Sequence, residues 1–220
     1  MAADCSERMC QVEKEDVQTK TVRAPKLYDL TSLQRDANRI FGFTAKQTLE
    51  YTQSLYEKKL VTYPRTDSQY LSDDMEETAK AVIGAVYQAI LFEEQTGAEP
   101  DIKRVLNSKK VTDHHAVIPT RNLQNADLSG LPVGERMILE LVALRLLCAV
   151  AEPHTYSETA VTVACAGAEF TTKGKTVKRP GWRALDASYR AALKNAELDK
   201  ETEDKALPEL TEGQTLPLSG

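Results

Sequence analysis

The stretch VGERMILELVALRLLCAV, residues 133–150, is the most apolar part of the chain. When it is drawn as a helix, its apolar side chains fall on more than one face, which is typical of a helix buried at the centre of a domain. Pro153 follows and ends the helix, because proline cannot continue a helical hydrogen-bond pattern. We therefore predict a core helix over residues 133–150, around which the rest of the domain packs.

Three further helices are predicted upstream of this core helix. Two are short and are separated by Gly42, and each begins with a capping box. The capping pairs are Thr31 with Gln34 and Thr44 with Gln47. The second helix covers about residues 45–58, and the strand-like KLVTY after it would be a wing or a connector, so that the pair resembles a winged helix-turn-helix unit. A longer helix, capped by Ser72, is predicted through residues 75–95.

Both ends of the chain have strand character. From Tyr156 onward the apolar residues alternate with polar ones, and Gly167 supplies a turn between two alternating stretches. Because sequence ends with strand character can pair with each other, we expect them to form one β-rich segment that flanks a helical insert. The predicted fold class is α+β, with a β-rich segment built from residues 1–27 and 151–220 and a helical, winged-helix-like domain over residues 28–150.

Charge is distributed unevenly along the 220 residues. The net charge of −5, taken as an average, argues against a nucleic-acid partner. However, residues 20–65 hold nine Lys or Arg against four Asp or Glu, and residues 103–121 hold five against one, whereas residues 71–101 hold eight acids and one lysine. The two basic stretches are equally consistent with a DNA-binding surface and with solvated helix faces.

Neither a membrane span nor a signal peptide is predicted. No run of about eighteen apolar residues occurs, and the first ten residues are too polar for a signal peptide. We therefore expect a soluble, cytoplasmic protein without a membrane partner. The cysteines are too scattered for a zinc site and too few for a disulfide scaffold, so we expect them to be reduced. They are Cys5, Cys10, Cys148 and Cys165.

The segment TYPRTDS, residues 62–68, contains a tyrosine two residues before an arginine. Tyr63 and Arg65 would suit transesterification on a phosphodiester, in which a phenolate attacks phosphorus and a guanidinium holds the charge on the non-bridging oxygens. A free tyrosine ionises near pH 10, so it needs a cationic neighbour or a metal to react at neutral pH. The plainer interpretation is a half-buried strand tyrosine followed by an ordinary turn.

A second polar cluster, DHHAVIPT, lies in the other basic stretch at residues 113–120. Adjacent side chains on an extended backbone point to opposite sides, so we expect only one of His114 and His115 to face a site. Asp113 with two histidines provides too few ligands for zinc. One histidine would suit a phosphate contact or proton transfer, and the other a structural role.

The string LYDLTSLQRDANRIFGFTAKQTLEYTQSLYEKKLVTYPRTDSQYLS, residues 27–72, resembles the active-site segment of type IA DNA topoisomerases, closest to their topoisomerase III branch. DHHAVIPT is similar to the histidine motif that follows in that family, and GWRAL with the later LPELTEG is similar to the strands beyond. The resemblance covers nearly the whole chain with its motifs in family order. It implies a helical tyrosine domain inserted in a β-rich arch domain.

The resemblance also implies the role of each motif residue. Tyr63 would be the nucleophile that forms a 5′-phosphotyrosine link to single-stranded DNA, and Arg65 would stabilise the scissile phosphate. The expected DNA-contacting residues are His114, Thr66, Asp67, Gln34 and Arg39. Because the bond energy is retained in the ester, no nucleotide is needed.

The family also uses Mg²⁺, held by acidic residues of a separate Toprim domain, and no such pattern occurs in this sequence. The acidic runs SDDMEE and DKETED, at residues 72–77 and 199–204, are explained by a helix start and by solvation. We therefore expect no metal ligands in this chain, a missing Toprim domain as its partner, and no relaxation of supercoils by the chain alone.

Two other functions are compatible with parts of the sequence. A tyrosine recombinase also uses tyrosine, arginine and histidine, but its tyrosine follows an HxxR motif, whereas Tyr63 precedes His114 and no HxxR occurs. A non-catalytic winged-helix DNA-binding module would account for the helix pair and the basic flanks. It would leave the YPRTDS and HHAVIPT motifs without a function.

Overall fold

A computed structural model describes residues 9–89, 99–165, 167–193, 206–208 and 210–217. The described residues form two compact units. The first comprises the described parts of Met1–Val22, Pro153–Pro180 and Asp199–Gly220, and the second comprises those of Arg23–Glu152 and Gly181–Leu198. The first unit contains the sheet and the second contains the helices, so the structure is of the α+β class.

The second unit contains five described α-helices, joined by loops and short 3-10 turns. They are α1 (Leu30–Phe41), α2 (Ala45–Glu57), α3 (Glu76–Gln88), α4 (Val133–Val150) and α5 (Trp182–Ala192). The sequence prediction for α4 is confirmed at both ends, and almost every apolar side chain of this helix is buried. The other elements of the unit pack around α4, as a helix that is apolar on several faces requires.

The helix pair α1 and α2 is present, and Gly42 lies at the turn with a φ of 73°. Glycine is suited to this left-handed conformation because it has no Cβ. The Thr44–Gln47 capping box is confirmed. The Thr31–Gln34 box is wrong: α1 begins two residues earlier than that box would place it, and Asp29 and Ser32 form the capping box instead. Asp29 is the better N-cap because its carboxylate accepts directly from the Ser32 N–H at 2.6 Å.

The long helix predicted from Ser72 begins later than expected. Residues Asp73–Met75 form a 3-10 turn, and α3 starts at Glu76. Ser72 makes no side-chain capping hydrogen bond. The N–H of Asp73 instead bonds to the hydroxyl of Ser108, at 2.8 Å. The later part of the predicted helix, residues 90–95, lies outside the described residues.

Helix α5 corrects the predicted division of the chain. Residues 151–220 are predicted to lie in the β-rich segment, but residues 181–193 form α5 and its cap and belong to the helical unit. Leu185 and Tyr189, one helical turn apart, are buried in the core of that unit. The helix follows a strand directly, so a continuous β-rich segment was the wrong interpretation.

Two close contacts join α4 to the helix pair. Gly134 lies so near Tyr51 of α2 that a Cβ at this position would approach the tyrosine ring to 2.6 Å. Arg145 forms an ion pair with Asp36 of α1 and donates a hydrogen bond to the Tyr28 hydroxyl at 2.9 Å. The Tyr28 hydroxyl in turn donates to Asp36 at 2.8 Å, so the charges on α1 and α4 are matched.

The first unit is a four-stranded antiparallel sheet with the order β3-β2-β1-β4. Its strands are β1 (Met9–Val22), β2 (His154–Cys165), β3 (Ala168–Arg179) and β4 (Thr215–Pro217). The strand β1 pairs with β2 from Val22 opposite His154 to Gln11 opposite Ala164, and with β4 at its other edge. The expected pairing between the two ends of the sequence is therefore present.

The core of the sheet unit is small. Val12, Val161 and Leu210 are buried together at one end of the sheet. Gly167 follows β2 with a φ of 81°, which permits the turn into β3. Most side chains of β3 are exposed. The strand is therefore held in the sheet largely by its backbone hydrogen bonds to β2.

Cys10, Cys148 and Cys165 are buried, and burial raises the pKa of the Cys148 thiol to about 12. Cys5 lies outside the described residues. In the described part of the chain, no helix has both the length and the apolar character needed to span a bilayer.

Candidate active site

The backbone on the N-terminal side of Tyr63 is held by Thr62. The Thr62 N–H donates to the carbonyl of Ile118 at 2.9 Å, and its hydroxyl donates to the carbonyl of Ala116 at 3.0 Å. The same hydroxyl accepts from the Ile118 N–H at 3.0 Å. One threonine therefore attaches the tyrosine loop to the HHAVIPT segment, more than fifty residues away in sequence.

Thr66 holds the backbone on the other side of Tyr63. Its buried hydroxyl donates to the carbonyl of His114 at 2.9 Å and accepts from the Ser68 N–H at 3.1 Å, while its carbonyl accepts from the Leu30 N–H at 3.1 Å. Asp67 is exposed and accepts from the Thr112 hydroxyl at 3.2 Å. The Thr66 hydroxyl is thus engaged by protein atoms, and direct DNA contact by Thr66 or Asp67 stays a prediction.

The ring of Tyr63 is half-buried and contacts two other rings. The Tyr56 ring meets it edge-on, with 5.4 Å between centroids and 78° between planes, and the centroid of the His114 ring lies 4.3 Å from that of Tyr63. No described residue forms a hydrogen bond with the Tyr63 phenol oxygen. The ring is therefore packed in place while its reactive oxygen has no protein hydrogen-bond partner among the described residues.

The two adjacent histidines have different surroundings, as expected from their alternation. His114 is exposed and contacts the Tyr63 ring. His115 is half-buried, and its Nδ1 lies 2.8 Å from the carbonyl oxygen of Ala116, to which it can only donate. His114 is consequently the histidine that belongs to the site, and His115 has a structural contact.

Arg65 is exposed and extends toward α2. Its Nη1 donates to the side-chain carbonyl of Gln53 at 3.1 Å. It also lines an open groove along α2, together with Lys46, Leu49, Glu50, Gln53, Ser54 and Glu57. A guanidinium has five N–H donors, so the bond to Gln53 leaves most of them for an anion.

Gln34 and Arg39 lie on α1, in the helix pair. The Gln34 side chain donates to the carbonyl of Ala45 at 3.0 Å and so closes the turn between α1 and α2. Arg39 is exposed, and its guanidinium lies 3.6 Å from Asp36. Contact of these two residues with DNA stays a prediction.

A buried carboxylate braces the helix that leads into the tyrosine loop. Glu135, in the first turn of α4, accepts from the Ser54 hydroxyl at 2.9 Å and forms an ion pair with Lys58. Both partners lie at the C-terminal end of α2. Because a buried carboxylate is stable only when it is paired, this contact fixes the end of α2 against α4.

Two residues of this site are not predicted from the sequence. Tyr56 packs against the nucleophile candidate, and Gln53 binds Arg65. Both lie on α2 with the spacing of one helical turn, which the sequence shows. Their nearness to Tyr63 depends on how the loop after α2 folds back, and no local pattern encodes this.

The described residues do not fit a magnesium site. Within the described ranges no group of three or more His, Cys, Asp or Glu side chains comes together. Glu76 and Glu77 form ion pairs with Lys80 on the exposed side of α3. The acidic run at residues 199–204 lies outside the described residues. No chemical step is therefore assigned to a metal held by these residues.

Comparison with known proteins agrees with this geometry. A family described as DNA topoisomerase matches residues 1–220. DNA topoisomerase 3 of Bacillus licheniformis is 43% identical over 199 residues, which are 88% of this chain and 26% of that protein. DNA topoisomerase 3 of Bacillus subtilis is 42% identical over 198 residues, with the same two coverages.

A solved structure shares the fold. Full-length topoisomerase I from Thermotoga maritima matches with a TM-score of 0.68 at 21% identity, over 98% of this chain and 34% of that one. The chain belongs to the type IA DNA topoisomerase family, in its topoisomerase III branch. It spans about a quarter of the length of the curated relatives it matches.

Proposed function

We propose that this chain carries the nucleophile of a type IA topoisomerase, which changes DNA topology by cutting and rejoining one strand. The supporting observation is the position of Tyr63, whose ring contacts the rings of Tyr56 and His114 while its phenol oxygen has no hydrogen-bond partner among the described residues. A nucleophile needs a fixed ring and an accessible oxygen.

In the proposed reaction the Tyr63 oxygen attacks the phosphorus of a phosphodiester in single-stranded DNA. The new bond joins tyrosine to the 5′-phosphate, the bond from phosphorus to the 3′-oxygen breaks, and the 3′-oxygen gains the proton that the phenol loses. Rejoining is the reverse attack by the 3′-hydroxyl. One ester replaces another at each step, so ATP is not required.

Arg65 and His114 are proposed to act on the phosphate. The guanidinium of Arg65 can donate to two non-bridging oxygens at once, which suits the charge that develops there in the transition state. The His114 ring touches the Tyr63 ring and is exposed, so a phosphate at the tyrosine oxygen would lie within its reach. Thr66 and Asp67 are proposed to support the loop.

The remaining requirements of the reaction are assigned to other parts of the enzyme. Type IA enzymes use Mg²⁺, and we propose that a Toprim domain, partner to this chain in the cytoplasm, holds the ion. When bound, Mg²⁺ would supply positive charge near the scissile phosphate. The described residues would position the tyrosine, hold its loop and contact the strand.

The alternative, a non-catalytic winged-helix DNA-binding module, has partial support. The helix pair α1 and α2 is present, with its glycine turn. However, the residues after α2 form no hairpin wing: Val61 makes only an isolated antiparallel bridge with Pro119. This alternative also assigns no role to the packing of Tyr63 against His114.

The decisive experiment uses single-stranded DNA labelled at either end and a protein that includes the Toprim domain. With Mg²⁺ present and the reaction stopped by detergent, we expect a covalent adduct that retains a 3′-label and loses a 5′-label. Tyr63→Phe should abolish this adduct, whereas Tyr56→Phe, the matched control beside it, should retain it. An adduct that persists in Tyr63→Phe, or one that retains the 5′-label, contradicts the proposal.

A further inference from the structure

Two lysines from distant parts of the sequence lie on one tyrosine ring. The ammonium groups of Lys26 and Lys110 lie 5.5 and 4.8 Å from the centre of the Tyr70 ring. Lys110 also donates to the Tyr70 hydroxyl at 3.5 Å. Both lysines are exposed, and within the described ranges neither forms an ion pair with a carboxylate. The ring attracts each ammonium group, and neither positive charge is neutralised by a carboxylate of the described residues.

The backbone beneath this cluster is fixed. The Ser68 hydroxyl donates to the Lys110 carbonyl at 2.8 Å and accepts from the Tyr70 N–H at 3.1 Å. The carbonyl of Tyr70 accepts from the Ala116 N–H at 2.9 Å. Lys26 directly precedes the buried Leu27. The Tyr70 ring and the two lysine side chains are therefore attached to backbone that is fixed by hydrogen bonds or by a buried neighbour. The cluster is consequently a feature of the fold.

The cluster belongs to the same pair of segments that holds Tyr63. The loop that begins at Tyr63 continues to Tyr70, and the segment that carries His114 begins near Lys110. Tyr70 is the seventh residue after Tyr63, which limits their Cα atoms to roughly 25 Å apart. A strand bound at Tyr63 could reach the cluster within a few nucleotides.

We propose that Lys26 and Lys110, held on Tyr70, bind the phosphodiester backbone of the single strand that Tyr63 attacks, at a position a few nucleotides from the cut. The proposal rests on the proposed function for the identity of the strand. Two ammonium groups at one ring can each neutralise a phosphate of the chain, and positive charge beside an aromatic ring is typical of grooves that bind single strands. The surrounding residues 103–121 hold five Lys or Arg and one acid.

The test measures binding of a fluorescent twelve-nucleotide oligo(dT) to the chain by anisotropy over a series of NaCl concentrations. For single strands the slope of log K against log salt is about −0.7 for each phosphate neutralised. Lys26→Gln with Lys110→Gln should therefore make the slope shallower by about 1.4, if each lysine contacts one phosphate. The control pair Lys14→Gln with Lys80→Gln changes net charge equally and should leave the slope as it is.

A second measurement detects contact between the lysines and DNA even when binding is weak. Acetylation of lysines, read by mass spectrometry with and without excess oligo(dT), should show protection of Lys26 and Lys110 but not of Lys14 and Lys80. An unchanged slope, an equal change in the control pair, or a lack of protection overturns the lysine site. These readouts do not depend on the covalent adduct, so loss of the Tyr63 requirement would overturn the proposed function alone.

Discussion

At the scale of single residues, two threonine hydroxyls hold Tyr63 in its place. Thr62 and Thr66 each donate to one carbonyl and accept from one N–H, so each hydroxyl binds two backbone groups. Tyr63 lies between the two threonines in sequence. The position of the nucleophile candidate therefore depends on these two hydroxyl groups.

Removing one of these hydroxyls should be costly. In Thr66→Ala the carbonyl of His114 and the N–H of Ser68 lose their partner, and we expect the free energy of unfolding to fall by about 1–3 kcal/mol. Thr66→Ser keeps the hydroxyl and is the matched control. Urea unfolding of both variants provides the measurement, and equal stabilities of the two would contradict the role given to this hydroxyl.

Arg65 offers a kinetic prediction. If its guanidinium stabilises charge on the phosphate, Arg65→Ala should slow cleavage by about a hundredfold or more, because a missing donor in a transition state costs that much. Gln53→Ala, which removes only the partner of Arg65, should retain most of the rate. Single-turnover cleavage of a 3′-labelled strand, with the Toprim domain present, measures both. Equal rates for Arg65→Ala and Gln53→Ala would exclude the proposed role.

How far the site could be predicted from sequence differs from one residue to the next. Tyr63 and His114 were singled out because their motifs are distinctive, and the structure brings their rings to 4.3 Å. Tyr56 and Gln53 were not, since their contacts arise only when the loop after α2 folds back along that helix. Direct contact of Gln34 or Arg39 with DNA stays a prediction.

At the scale of elements, α1 provides a test of its corrected start. Asp29 caps the helix and Thr31 lies exposed inside its first turn. Asp29→Ala should lower the free energy of unfolding by about 1 kcal/mol, and Thr31→Ala should change it little. Thermal unfolding monitored by circular dichroism is sufficient. A larger effect at Thr31 than at Asp29 would restore the capping box expected from the sequence.

The helices differ in how clearly the sequence shows them. Helix α4 was predictable because a long apolar run without alternation has few other structures available. Helix α5 is shorter and follows a strand, and its buried residues, Leu185 and Tyr189, are only two. Their spacing of four was a helical signal, but the alternation in the strands before it led to a β interpretation.

At the scale of the whole molecule, stability should decrease in alkali. Burial raises the pKa of the Cys148 thiol to about 12 and also raises the pKa of the Tyr28 and Tyr189 phenols. These groups ionise more readily in the unfolded chain, near pH 8.5 for the thiol and about 10 for the phenols. Their contribution to the free energy of unfolding is therefore complete below those pH values and is lost as the pH rises above them.

The thiol should dominate the first part of this loss. Between pH 9 and 10 the free energy of unfolding should fall by up to about 1.4 kcal/mol per pH unit from Cys148 alone, with the two phenols adding to the slope above pH 10. Cys148→Ala should flatten the plot of unfolding free energy against pH between pH 9 and 10, and the decrease above pH 10 should remain. Urea unfolding at several pH values measures this, and parallel curves for the two proteins would refute the assignment.

The pairing of β1 with β2 also has a consequence for synthesis on the ribosome. Strand β1 is made before its partner β2, which starts at His154, after the whole of α4. Contacts that are distant in sequence form slowly, because the intervening chain must be closed into a loop. While the polypeptide emerges, β1 therefore stays unpaired with β2 during the time in which helices α1 to α4 are made and pack around their own core. Its exposed lysines and acids suit that interval, since charged side chains on an unpaired strand discourage association with other nascent chains.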